Sequence, residues 1–157
     1  MKILRSLLLL GLLSIGLVAC DGNRVYQQAY DFEDSGWHLD TIPAFEFQIE
    51  DRQPKNLILS LRNSISYPYR NIYLTYYLED SLGNELASEL VNLPLFDEKT
   101  GKPFGSGSSI YQHTVGVLNG FSFPGTGRYT FKVAQYMREI ELKEVESVGF
   151  RVEEAEK

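Results

Sequence analysis

Among the residues able to do chemistry, Cys20 stands in the most specific setting. It is the only cysteine of the 157 residues, so neither an internal disulfide nor a cysteine-based metal cage can form. Lys2 and Arg5 precede an apolar run that ends Leu17-Val18-Ala19-Cys20. That run is about a dozen residues, too short to span a bilayer. A positive start, a short apolar stretch and a small residue at the end are the marks of a secretory signal. A cysteine closing such a segment is the acceptor site of a bacterial lipobox. Residues 1–19 are therefore expected to be removed. Cys20 then becomes the N-terminus, with diacylglycerol on its sulfur and a further acyl chain on its amine. One acyl chain binds a membrane only marginally, at about 0.8 kcal/mol per buried methylene, whereas two or three anchor stably. The expected location is the cell envelope, lipid-anchored and facing the periplasm. Asp21 beside Cys20 matches an inner-membrane retention signal of enterobacteria, and Asp21-Gly22-Asn23-Arg24 is too mixed in charge for a strong surface-export signal. Inner and outer membrane both stay open.

No other constellation carries comparable chemistry. The two histidines are His38 and His113, and neither serves a Gly-x-Ser-x-Gly elbow, which is absent. No histidine pair has zinc-ligand spacing. Gly101-Lys102 is followed by Pro103, which removes a donor that a phosphate loop needs. Asp31, Glu33 and Asp34 form an acidic run, but the glycine and closing glutamate of a calcium loop are missing, so a solvated stretch is expected. Carboxylates are plentiful enough to leave a glycosidase-type pair open, yet so small a fold offers little surface for a deep cleft. The expectation is a protein that is not an enzyme, with no cofactor and no metal. A formal charge of −6 without a basic cluster excludes a typical nucleic-acid binder.

Aromatic rings are the stronger binding signal. Aromatics make up 13% of the chain, with ten Tyr and nine Phe. Tyr67 and Tyr69 flank Pro68 in what reads as a loop, with Arg70 beside them. Tyr73 and Tyr77 share one face of the strand that follows, and Tyr76 lies on the other. Such rings anchor proteins or stack on sugars, so Tyr67, Tyr69, Arg70, Tyr73 and Tyr77 are the candidate partner-binding residues. Trp37 reads as a plug at one end of the fold.

The elements that must hold these rings have period two. Phe45, Phe47 and Ile49 alternate with Glu46, Gln48 and Glu50, as in a half-buried strand. Leu57, Leu59 and Leu61 repeat the pattern, with Ile58 on the second face suggesting cover on both sides. Ile72, Leu74, Tyr76 and Leu78 do so again, then Asp80–Asn84 turns the chain back along 85–93. Residues 94–109 read as a long loop joining two sheets. Strands follow at 110–118, from Tyr129 on to Met137, and at Val148, Phe150 and Val152. Residues 138–145 fit either a short helix or a hairpin. Seven or eight short strands without a long helix predict an all-β antiparallel sandwich, jelly-roll or immunoglobulin-like. The expected division is a signal peptide at 1–19, a polar lipidated tether at 20–36, the sandwich at 37–152 and a frayed acidic tail at 153–157.

Taken in order, these pieces resemble the gliding-motility lipoprotein family GldH of the Bacteroidetes. The resemblance rests on Cys20-Asp21, then Trp37-His38 before Phe45-x-Phe47, then Asn56-Leu57-Ile58-Leu59-Ser60-Leu61-Arg62-Asn63. It continues through Tyr67-Pro68-Tyr69-x-Asn71-Ile72-Tyr73-Leu74 and Phe123-Pro124 with Gly127-x-Tyr129. Gln135-x-Met137-Arg138 and Val148-Gly149-Phe150-Arg151-Val152 complete it. The order and spacing carry the likeness, since no single motif is diagnostic. It departs at Glu144, where a glycine is expected before the last strand. The resemblance implies an envelope component of gliding tied to type IX secretion, whose partners are other envelope proteins, and it implies no catalytic residue. The expected function is that of a non-catalytic accessory lipoprotein. The alternative is a periplasmic carbohydrate- or peptidoglycan-binding sandwich.

Overall fold

Alternation of apolar and polar side chains becomes strand wherever it was strong. The computed structural model describes residues 23–156. The signal segment and Cys20 lie outside the described residues, so the expected lipidation is not tested by the fold. In chain order the strands are β1 (Arg24–Asp31), β2 (Gly36–His38), β3 (Ala44–Ile49), β4 (Lys55–Ser64), β5 (Asn71–Asp80), β6 (Glu85–Pro94), β7 (Ser106–Gly107), β8 (Ile110–Phe121), β9 (Gly127–Gln135), β10 (Glu141–Lys143) and β11 (Val145–Glu154). In β3 the residues Phe45, Phe47 and Ile49 are buried while Ala44, Glu46 and Gln48 face water. The same division runs through β4, β5 and β9.

Two antiparallel sheets pack face to face. One has the order β1-β11-β4-β8-β7 and the other β3-β9-β5-β6. Taking only the long strands, each sheet draws four of them from alternating parts of the chain, which is the winding of a jelly roll rather than an immunoglobulin sandwich. Aromatic rings join the sheets. Phe150 of β11 stacks on Phe131 of β9 at 4.0 Å between centroids and meets Phe47 of β3 at 5.3 Å. Each such ring, fully buried, stabilises the fold by roughly 1.5–3 kcal/mol. Ile58 is half-buried on the outer face of β4, consistent with its place between β11 and β8.

The ends of the sandwich are closed by anchors. Trp37 is fully buried, stacks on Phe32 at 4.7 Å and donates from Nε1 to the Thr41 carbonyl at 2.8 Å. It is the plug that its sequence position suggested. At another point of the rim the buried Lys55 donates to Asp51 at 2.5 Å and Glu154 at 2.8 Å. Burial pulls its pKa down, and the hydrogen bonds and charges of these two carboxylates together outweigh that and raise it.

Several expected boundaries move. Most of the stretch read as an irregular tether is β1, an edge strand paired with β11 from Arg24 to Asp31. Its side chains are nearly all exposed, so backbone pairing and the one ring of Tyr26, packed on Phe47 and Phe150, hold it and no apolar alternation announces it. The domain therefore starts at β1 rather than at Trp37. The acidic tail also begins later, because Glu153 and Glu154 pair with Asn56 and Lys55. The run at 129–137 leaves the sheet after Gln135. The undecided stretch 138–145 holds β10, which pairs with β2. Residues 94–109 do join the two sheets, and carry the two-residue β7 on the way.

Candidate docking groove

The segment Tyr69–Tyr73 and the segment that follows Gln135 meet on the outer face of the β3-β9-β5-β6 sheet. Tyr73 starts there, on the outward side of β5, 38% exposed. Its carbonyl accepts the Tyr136 N–H at 2.7 Å, and its own N–H donates to Met137 Sδ at 3.3 Å. The segment after β9 is folded back by one buried amide. Gln135 Nε2 donates to the Glu139 carbonyl at 2.8 Å, while its Oε1 accepts the Met137 N–H at 2.8 Å. A buried amide satisfied on both ends fixes the loop it serves. That fold presents Tyr136, 67% exposed, beside Tyr73. From the other side Tyr69 reaches across, its hydroxyl donating to Glu139 Oε1. This bond and the negative charge of Glu139 raise the Tyr69 pKa. Leu90 of β6, 49% exposed, forms the remaining wall. The result is an open, mainly apolar groove of about 560 Å³ whose rim carries Arg138 and Glu139.

The candidate residues divide accordingly. Tyr69 and Tyr73 line the groove. Tyr67 does not: it is only 5% exposed, packs edge-on against Tyr69 at 5.8 Å, and donates its hydroxyl to the Asn71 carbonyl at 3.2 Å. Burial pushes its phenol far above the ordinary range. It is a core residue that supports Tyr69 from behind, so the reading of both loop rings as exposed anchors is corrected for Tyr67. The reason is that Tyr67 lies where the chain still covers the sandwich end, its N–H tied to the Ser64 carbonyl at 3.1 Å. Arg70 points away and faces Glu98 at 3.6 Å, both well exposed, a pair of little energetic weight. Tyr77 is half-buried further along β5 and is not a groove residue.

Sequence reasoning did not select Leu90, Tyr136, Met137 and Glu139. A signal for Tyr136 and Met137 existed in the motif Gln135-x-Met137-Arg138, with Glu139 beside it, whose position in the fold only pairing with β5 reveals; Leu90 had no such signal. The two histidines are far from forming one site. His38 of β2 is exposed, with Asp40 at 3.8 Å. His113 of β8 is 4% exposed, its Nε2 has no hydrogen-bond partner, and burial lowers its pKa, which keeps it neutral near pH 7. Among the described residues no group of three His, Cys, Asp or Glu side chains could hold a metal ion, and no helix is long and apolar enough to cross a membrane.

Comparison with known proteins places the chain. The family model of the GldH lipoprotein matches residues 24–152, from the first strand nearly to the end of the last. The chain belongs to the GldH lipoprotein family. The gliding motility lipoprotein GldH of Flavobacterium johnsoniae is 29% identical, with 98% of this chain and 99% of that protein covered. A gliding motility lipoprotein GldH homolog of Christiangramia forsetii is 25% identical over 88% of each chain. Among solved structures, the VP2 subviral particle of infectious bursal disease virus is similar at a TM-score of 0.41 and 10% identity, over 90% of this chain and 37% of that one. As a GldH-family member the chain is a gliding motility-associated lipoprotein, a membrane-anchored protein of the envelope. The family is not a known enzyme family. The motif Tyr67–Leu74 and the motif Gln135–Arg138, both carried by the resemblance, build the two sides of one groove.

Proposed function

We propose that this chain is a non-catalytic accessory lipoprotein of the gliding and type IX secretion machinery. In this reading it is anchored through acylated Cys20, faces the periplasm and docks other envelope proteins through the Tyr69–Tyr73–Tyr136 groove. The observation that carries the docking part is the meeting of two distant aromatic segments in one exposed, mainly apolar groove. Exposed rings set among apolar walls are the usual anchors of protein interfaces. A sugar platform needs hydrogen-bonding groups around its rings. Here Leu90 and Met137 lie among the rings, the Glu139 carboxylate already accepts the Tyr69 hydroxyl, and Arg138 is the one charged donor of the lining, a mainly apolar setting that favours a protein partner over a glycan.

The anchoring part is tested by Cys20→Ser in the native host. The variant is expected to accumulate as a precursor about 2 kDa heavier, without acyl mass, and to fail in restoring the function of a deletion strain. Normal maturation of the variant, or a wild-type protein without acyl mass, would overturn the anchor.

A further inference from the structure

The groove borders a strand edge, since its wall residue Leu90 lies on β6. β6 lies last in its sheet, and among the described residues no strand lies beyond it. Its ten residues are longer than the other edge strand of that sheet, the six of β3. Long edge strands are commonly blunted by lysine, proline or bulges along their length. β6 has no lysine, keeps its only proline at the last position, and has its bulge at the far end, beside Glu85.

The direction of its free groups follows from the ladder. The Leu95 N–H bonds the Arg70 carbonyl and the Tyr136 N–H bonds the Tyr73 carbonyl. Even-numbered residues of β5 therefore face β6, and odd-numbered ones face β9. Through the register Ile72↔Leu93, Leu74↔Val91 and Tyr76↔Glu89, the groups of Glu89, Val91 and Leu93 are spent on β5. Those of Ser88, Leu90 and Asn92 point outward. Cross-strand partners share a face, so these three side chains lie on the outer face with Tyr77, Thr75 and Tyr73. Leu90 thus offers an open backbone and a wall of the groove at once.

We infer that β6 accepts an extended segment of a partner protein as an added antiparallel strand, with alternate apolar or aromatic side chains laid toward the Tyr73–Leu90–Tyr136 groove and Lys or Arg between them. This inference rests on the reading of the groove as a protein-docking site. Residues opposite Ser88, Leu90 and Asn92 in an antiparallel addition share the groove face, which sets their apolar character. The alternate residues turn to the face of Glu89, whose carboxylate is exposed and bonds the Tyr76 hydroxyl. From Glu85 to Glu98 the chain carries four acids, Glu85, Glu89, Asp97 and Glu98, and no Lys or Arg, and of these Glu98 faces a base, Arg70 at 3.6 Å. That charge selects a basic strand. It also disfavours a second copy, which would set the same acids of a chain with net charge −6 against one another.

The test uses the folded protein and synthetic decapeptides alternating Lys with Val and Phe. Binding of the parent peptide is expected to slow hydrogen exchange at Ser88, Leu90 and Asn92 at least tenfold while leaving Glu89 and Val91 unchanged. N-methylation of the Val and Phe amides should weaken binding tenfold or more, whereas methylation of the Lys amides should not. Ser88→Pro removes an outward donor that β5 does not use, so it should block binding and leave the melting temperature nearly unchanged. Equal binding of both methylated peptides, or of a peptide with Glu in place of Lys, would overturn the proposal. So would a wild-type dimer that Ser88→Pro dissolves, since β6 would then pair with its own copy. Failure here leaves the groove itself and the lipid anchor standing on their own tests.

Discussion

Tyr67 and Tyr73 are six residues apart in one aromatic motif and do opposite work. Tyr67 is buried with its hydroxyl bonded to the backbone, while Tyr73 stands on the outer sheet face. Truncating a buried ring removes its transfer energy and leaves a cavity. Tyr67→Ala is therefore expected to destabilise the fold by about 3–5 kcal/mol. Tyr73→Ala should cost less than about 1 kcal/mol, as for other surface changes. Urea denaturation of the two variants checks this, and equal losses would contradict the assignment of Tyr67 to the core and Tyr73 to the groove. The proline between Tyr67 and Tyr69 marked the loop correctly, but loop membership does not decide exposure. What separates the two rings is a tertiary fact: Tyr69 ends against Glu139, seventy positions away in the chain.

At the scale of elements, the strands with one apolar face were legible because burial of that face is what selects them. β3, β4, β5, β9 and β11 all carry that signal. β1 lacked it because it is an edge strand held by pairing with β11 and by the single ring of Tyr26 against Phe47 and Phe150, its other side chains being exposed. The groove was half legible for a similar reason. Tyr69 and Tyr73 stood in an aromatic cluster, whereas Leu90 and Tyr136 become neighbours only through sheet order. The turn into β11 was flagged by a missing glycine, and Glu144 there has φ of 66°. A side chain in that left-handed region costs roughly 1–2 kcal/mol, part of which glycine returns through its freer unfolded chain. The Glu144 carbonyl still accepts the Ser64 N–H at 3.0 Å, a bond that glycine keeps. Glu144→Gly should therefore stabilise the protein by about 1 kcal/mol and raise its melting temperature by roughly 2–4 °C. A lower melting temperature would mean that the Glu144 side chain contributes more than its backbone strain.

The whole molecule is a jelly-roll sandwich whose interior is filled by rings and whose chemistry is concentrated on its surface. Its core joins both sheets through Phe150, Phe131 and Phe47, a rigid support for a surface that needs no internal motion. Rigid anchors lose little entropy on binding, so an aromatic groove on such a scaffold suits a docking role. In the role proposed above, the outer face of the β5–β6 side is the surface offered to other envelope proteins. The most direct test places a photo-crosslinking amino acid at Tyr73 of the full-length protein in its native host, with Leu82, an exposed turn residue, as the control position. Position 73 is expected to yield a defined adduct with an envelope protein of the motility and secretion machinery, lost when Tyr69 and Tyr136 are both changed to Ser in a protein that still folds. An adduct at position 82 but none at position 73, or one at position 73 that survives loss of both rings, would contradict it.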